Sequence, residues 1–209
     1  MKRFLLPAPS IVEKIFIDGP AGKLETALND PGEKRGGIAL IAHPHPLFGG
    51  TQDNKVVTTL AKAFFELGYV ALRPNLRGVG KSDGGFNEGK GESQDMLAVA
   101  EHAKNQFGNL PLVLAGFSFG AFVQSRVIKR LPAEMLVLVA PAVVRFDFGN
   151  VPASTLVIHG DQDEVVPLAA VLAWAQPQNL RVMVLPGAGH FFHGRLPQLK
   201  QIVFDAFRN

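Results

Sequence analysis

Short apolar runs alternate along the chain with stretches in which apolar residues recur every three or four positions. Gly37-Ile38-Ala39-Leu40-Ile41-Ala42 contains no polar side chain, the pattern of a strand covered on both faces in a parallel sheet. After a loop over 43–53, Val56, Leu60, Phe64 and Leu67 fall on one helical face, and Gly68 is placed to end that helix. The alternation then repeats. A strand is expected at 69–73, a long glycine-rich loop at 74–91, and a helix marked by Met96, Ala100, Ala103 and Phe107 and closed by Gly108. A strand at 112–117 leads into a helix from 119 to about 130; strands follow at 135–140 and 155–159, a helix at 168–175 and a strand at 181–185. Leu196, Leu199, Ile202, Val203 and Phe207 stripe a last helix.

Ahead of this series, residues 11–18 alternate apolar and polar positions, Gly19-Pro20-Ala21-Gly22 turns the chain, and 23–29 returns it, which reads as an antiparallel hairpin. Strands alternating with helices from residue 37 onward predict an α/β fold: a doubly wound, mostly parallel sheet flanked by helices, with the hairpin at its start. No repeat or low-complexity linker interrupts the pattern, so a single domain spanning 1–209 is expected.

Composition narrows the chemistry. The chain is 47% hydrophobic and 19% charged, as in ordinary globular proteins. Its net charge is +3 with Lys and Arg scattered, which does not point to nucleic acid. There is no cysteine, which removes disulfides, thiolate metal sites and a cysteine nucleophile together. The opening Met1-Lys2-Arg3-Phe4-Leu5-Leu6-Pro7 has too few apolar residues for a signal-peptide core, and no later run is long enough to span a membrane. A cytoplasmic protein without membrane association, monomeric or homodimeric, is the expectation.

In a doubly wound sheet, sites collect beyond the carboxyl ends of the strands. After the strand at 112–117 comes Gly116-Phe117-Ser118-Phe119-Gly120, the Gly-x-Ser-x-Gly pattern of a tight strand-to-helix turn with serine at its apex. The helix beginning near Phe119 aims free N–H groups at any anion forming beside Ser118. Gly160-Asp161-Gln162-Asp163 follows the strand at 155–159, and Gly187-Ala188-Gly189-His190-Phe191-Phe192-His193 follows the strand at 181–185. Serine, aspartate and histidine in this chain order suit nucleophilic catalysis: histidine takes the serine proton, and a carboxylate fixes the imidazole tautomer. His190, in the small-residue loop directly after its strand, is preferred over His193; Asp161 and Asp163 both stand in range. A metal site built from His43, His45, His190 and His193 is a competing arrangement, although Pro44 and Pro46 stiffen the first pair.

Through these motifs, and through Arg73-Pro74-Asn75-Leu76-Arg77-Gly78-Val79-Gly80-Lys81-Ser82, the chain resembles the α/β-hydrolase superfamily over essentially its whole length. Within it the chain is most similar to small lidless bacterial serine hydrolases with a His-Pro-His-Pro-Leu-Phe-Gly-Gly loop, related to the dienelactone-hydrolase-like branch. It departs from dienelactone hydrolases proper, which use cysteine, and it lacks the His-Gly-Gly-Gly loop of lipases. The resemblance implies Asp163, ahead of Val165-Val166-Pro167, as the catalytic acid, with Asp161 a turn former. It also implies an oxyanion hole from the backbone N–H groups of Phe119 and Leu47, since Pro46 cannot donate. Arg77 and Ser82-Asp83 are expected to order the loop after residue 73. Phe48, Phe191 and His45 are candidates for the substrate pocket, beside Phe119.

The function so implied is a serine hydrolase cleaving small carboxylic esters through an acyl-enzyme, with no cofactor and no metal. A thioesterase or small peptidase with the same triad, and a non-catalytic binding protein of this fold, are the alternatives. The superfamily often inserts a cap after the strand that follows the nucleophile helix. Here only 141–154, rich in proline and glycine, separates that strand from the next, so no cap domain is expected.

Overall fold

A computed structural model describes residues 11–207, so the expectation for the first seven residues lies outside the described residues. Among these residues eight strands form one sheet in the order β1-β2-β4-β3-β5-β6-β7-β8. The hairpin is β1 (Glu13–Gly19) and β2 (Gly22–Asn29), antiparallel and joined by Pro20-Ala21, with Gly19 opposite Gly22. β2 also runs antiparallel to β4 (Tyr69–Pro74). From β4 through β3 (Gly37–Ala42), β5 (Leu112–Phe117), β6 (Met135–Val139), β7 (Leu156–Gly160) and β8 (Arg181–Leu185), all pairings are parallel. The expected strands are all present.

The burial pattern explains the apolar runs. Every residue of β3 is buried, as the central strand of a sheet covered on both faces must be. One face is covered by α1 (Lys55–Glu66) and α5 (Leu196–Ala206), which pack Val57, Leu60, Phe64, Leu199 and Val203 onto Ala39, Ile41, Val113 and Val137. The other face carries α2 (Lys90–Phe107) and α3 (Phe119–Val127), with Met96, Val99, Val123 and Val127 against Leu40, Leu72, Leu114 and Leu138. A smaller cluster seats α4 (Leu168–Ala175) on Val157 of β7. At about 25 cal/mol per Å² of apolar surface removed from water, these layers supply the main driving force for folding.

Two helix boundaries differ from the pattern reading. α2 starts at Lys90, inside the stretch expected to be loop, because the Glu92 carboxylate accepts the N–H groups of Gly89 at 2.8 Å and Asn87 at 2.7 Å and caps the first turn. α3 ends at Val127 rather than near 130: Arg130 N–H already bonds the Val127 carbonyl, and Leu131 precedes Pro132, which disfavours helical backbone there.

The loop after β4 is ordered as expected. Arg77 forms a two-pronged ion pair with buried Asp95 at 2.6 and 2.9 Å, the Ser82 hydroxyl donates to the Asn75 carbonyl at 2.7 Å, and Asp83 accepts the Lys23 N–H at 2.7 Å. Between β6 and β7, residues 140–155 form turns without a helix. Among the described residues no helix is long and apolar enough to cross a membrane.

Leaving β3 the chain turns to β4 on one side, and it later returns to β5 on the other, so the crevice between the carboxyl ends of β3 and β5 is the topological switch point. Close packing there leaves no room for side chains. A Cβ on Gly120 would collide with the Ala42 carbonyl, and one on Gly116 with the Gly120 carbonyl. Gly120→Ala is therefore expected to cost about 1–3 kcal/mol or more in urea unfolding, as overpacking does. Gly85→Ala, in an open loop with nothing within 4 Å of the new methyl, should stay within about 0.5 kcal/mol.

Candidate active site

Ser118 is the junction of β5 and α3 and sits at φ 55°, ψ −112°, a conformation that non-glycine residues rarely hold. Its own N–H bonds the Val139 carbonyl at 2.9 Å, and its carbonyl accepts from Ala121 at 3.1 Å, so the strained residue is pinned on both sides. The side chain is thereby held at the sheet's carboxyl edge, facing the loop after β8.

His190 meets it there. The His190 imidazole lies with Nε2 3.1 Å from Ser118 Oγ and Nδ1 2.8 Å from Asp163 Oδ2. An ionised carboxylate can only accept, so Nδ1 carries the proton and Nε2 is left to accept from the serine hydroxyl. The other oxygen of Asp163 accepts the N–H groups of Val165 at 2.9 Å and Val166 at 2.8 Å, which aims the carboxylate. Burial alone would raise the Asp163 pKa, but the hydrogen bond from His190, the two amides and the His190 charge together hold it below the usual carboxylate value. All three residues are at most 9% exposed.

The neighbours sort themselves by geometry. Asp161 accepts the Gly187 N–H at 2.6 Å and ties the loop after β7 to the loop after β8, a link across 26 residues rather than the local turn expected of it. His193 is exposed beside Phe191. His43 is fully buried, donates from Nδ1 to the Pro44 carbonyl at 2.7 Å and accepts the Leu76 N–H at Nε2 at 3.0 Å. Both nitrogens of His43 and of His190 are thus engaged within the protein, and among the described residues no three His, Cys, Asp or Glu side chains gather as metal ligands. Burial pushes the His43 pKa down to about 4.

One expected role needs correction. Leu47 N–H donates to the Nδ1 of His45 at 3.2 Å, and Leu47 is itself 68% exposed, so this amide closes its own turn rather than facing Ser118. Pro46 starts a short 3-10 turn that swings Leu47 outward, and His45 caps it. In contrast, the N–H groups of Phe119 and of His45 itself have no hydrogen-bond acceptor among the described residues.

Above Ser118 opens a cavity of about 300 Å³. The sequence-derived candidates His45, Phe48 and Phe191 line it with Phe119. Sequence reasoning missed Ala142, Arg145 and Val165, which also line it. Arg145 stands in the short segment after β6, and the rule that sites gather past strand ends was the one signal pointing to it. The His45 ring packs within 4.9 Å of the centroids of Phe48, Phe86 and Phe119. Its pKa is lowered by burial and by the positive charge of Arg145, against the opposing charge of Glu92.

A mostly parallel eight-stranded sheet with a Gly-x-Ser-x-Gly elbow at its switch point defines the class of α/β serine hydrolases. The chain belongs to the Hydrolase_4 family, described as serine aminopeptidase, S33, whose model matches residues 47–151. It is 41% identical to an α/β serine hydrolase homologue from Coxiella burnetii, with a TM-score of 0.88 over 93% of this chain and 97% of that one. It is 38% identical to XC6422 from Xanthomonas campestris, an α/β serine hydrolase without lid, with a TM-score of 0.89 over 98% and 97% of the two chains. It also shares 30% identity with the uncharacterized protein RP471 of Rickettsia prowazekii, covering 92% of this chain and 87% of that one.

The buried His43 predicts a pH dependence of stability. The unfolded chain takes up a proton at this residue below about pH 6.5, whereas the folded chain resists until about pH 4. The His43 contribution is therefore complete above pH 6.5 and is lost as pH falls towards 4, about 3 kcal/mol in all at 1.36 kcal/mol per unit. His159 and His45 act in the same direction and do so equally in a His43→Gln variant. Urea unfolding between pH 7 and 4 should accordingly show a shallower decline in His43→Gln, by about one proton.

Proposed function

We propose that Ser118, His190 and Asp163 are a catalytic triad that cleaves small carboxylic esters through an acyl-enzyme. The observation carrying this reading is the unbroken chain of contacts from Ser118 Oγ through His190 to Asp163 at the floor of an aromatic-lined cavity. Ser118 Oγ attacks the ester carbonyl as its proton passes to His190 Nε2, and Asp163 stabilises the imidazolium that forms. The tetrahedral oxyanion is held by two backbone donors, Phe119 N–H at the start of α3 and His45 N–H, which takes the place of Leu47. His190 then returns the proton to the leaving alcohol. Water repeats the cycle on the acyl-enzyme and frees Ser118.

Peptide hydrolysis by the same triad is the reading that the family description favours. An aminopeptidase must pair the α-ammonium of its substrate with a carboxylate or carbonyl cluster, and among the described residues no Asp or Glu lines this cavity. Arg145 in the wall repels an ammonium, which supports the ester over the amino-terminal peptide.

A fluorophosphonate should label the protein once, at Ser118, and labelling should vanish in Ser118→Ala; persistence in that variant overturns the triad. His190→Ala and Asp163→Asn should each lower kcat by about 10³-fold or more, whereas His193→Ala and Asp161→Asn should remain within about tenfold of the parent.

Acyl length supplies a separate test. Residues 140–155 form no cap over a cavity of about 300 Å³, so there is wall to cover only a few methylenes, each worth about 0.8 kcal/mol when buried. On p-nitrophenyl esters kcat/KM should peak at acyl chains of about two to four carbons and show no jump at a lipid–water interface. A maximum at ten carbons or beyond would overturn the open-site reading.

A further inference from the structure

We infer that Arg145 forms an anion subsite, so that the preferred substrates are esters carrying a carboxylate a few bonds from the scissile carbonyl. This rests on the proposed esterase reading and adds the substrate class.

Among the described residues Arg145 is the one permanently charged side chain in the wall of the cavity that holds Ser118. No carboxylate of the described residues lies within ion-pair distance of it, in contrast to Arg35, Arg73 and Arg77, which are bound to Asp30, Asp53 and Asp95. Its side chain is exposed at the rim of the cavity. The Arg145 backbone N–H donates to the Ala142 carbonyl at 3.0 Å, and the guanidinium carbon lies 5.7 Å from the centroid of the Phe48 ring, a cation–π contact that leaves the guanidinium N–H donors unused. Its field reaches His45, in the wall of the same cavity. The carboxylate of Glu92, whose charge also acts on His45, is fully buried, accepts two backbone amides and forms no ion pair with Arg145 among the described residues.

The rest of the wall is aromatic or small: Phe48, Phe119, Ala142, Phe146, Val165 and Phe191. A neutral ester uses these surfaces and leaves the five guanidinium donors to water. A substrate with a carboxylate engages them through two parallel hydrogen bonds. A single cation matches a monoanion; a phosphate dianion would leave one negative charge uncompensated against a largely apolar wall. The subsite therefore favours carboxylate over phosphate, and half-esters of short dicarboxylic acids fit both the cavity's size and its charge.

The test compares monoethyl glutarate with ethyl valerate, two esters of equal acyl length, by titrating the acid released by the full chain. The parent protein should favour monoethyl glutarate by about tenfold in kcat/KM, the range expected for a partly exposed charge-assisted pair. The preference should shrink as salt is raised from about 0.02 to about 0.5 M. In Arg145→Gln the ratio should fall to one or below, and Arg145→Lys should restore part of it. Arg130→Gln, which makes the same change in net charge at an exposed position away from the cavity, should keep the full ratio. A ratio near one in the parent, or one that Arg145→Gln leaves untouched, overturns the anion subsite while leaving the esterase reading standing. Hydrolysis of neither ester by a protein that also fails to take the fluorophosphonate overturns both.

Discussion

The site depends on one backbone constraint: Ser118 must hold a positive φ between a strand and a helix that approach almost to backbone contact. That conformation costs on the order of 1–3 kcal/mol and survives only where the surroundings enforce it. Here β5 is locked between β3 and β6, Ser118 N–H is tied to Val139, and Gly116 and Gly120 allow the elbow to close against Gly120 and Ala42. The same closeness brings the post-β3 loop beside Phe119, with the His45 and Phe119 ring centroids 4.9 Å apart. Gln124 reinforces the arrangement from below, donating to the carbonyls of Leu40 at 2.8 Å and Ala115 at 3.1 Å and so cross-linking β3 to β5 beneath the elbow.

Four buried or half-buried histidines illustrate how environment assigns roles to one side chain. His43 is a neutral brace between the loops after β3 and β4. His45 caps a turn and lines the cavity. His159 donates from Nε2 to the Val166 carbonyl at 2.9 Å, with that nitrogen also 3.5 Å from Asp163 Oδ2, the oxygen that His190 engages; burial lowers its pKa and keeps it neutral beside the carboxylate. His190 alone has a hydroxyl on one nitrogen and an ionised carboxylate on the other. Desolvation disfavours a charge on the first three, whereas Asp163 is held ionised by the hydrogen bonds it accepts.

The short segment between β6 and β7 supplies one wall of the cavity above Ser118. No helix forms over 140–155, and Ala142, Arg145 and Phe146 of that segment line the cavity. Phe146 stacks on Phe122 at 4.7 Å, fixing the segment to α3, and Arg145 is carried to the rim beside Phe48. An aromatic-lined cavity with one cation in its wall is a consequence of that short connection as much as of the side chains in it.

Much of this protein is legible in one dimension. Continuous apolar runs of strand length such as 37–42, bounded by glycine and proline turns, read as strands covered on both faces, and the helical stripes between them as crossovers, which points to a parallel sheet. That Ser118 and His190 could meet is readable because both stand directly past strand ends in a fixed chain order, whereas Asp163 was singled out only by the resemblance of its Val-Val-Pro context to the α/β-hydrolase pattern. The tertiary structure decided what depends on where a group points. Leu47 has a free amide on paper, yet the turn begun by Pro46 rotates it onto His45 Nδ1, and no local pattern encodes that rotation. Arg145 sits 27 residues after Ser118 in the chain, in a stretch without periodicity; only the return of β6 alongside β5 brings it to the same cavity. Local pattern specifies elements because it reflects burial along one segment, whereas the direction of a single donor or charge is set by contacts between segments far apart in the chain.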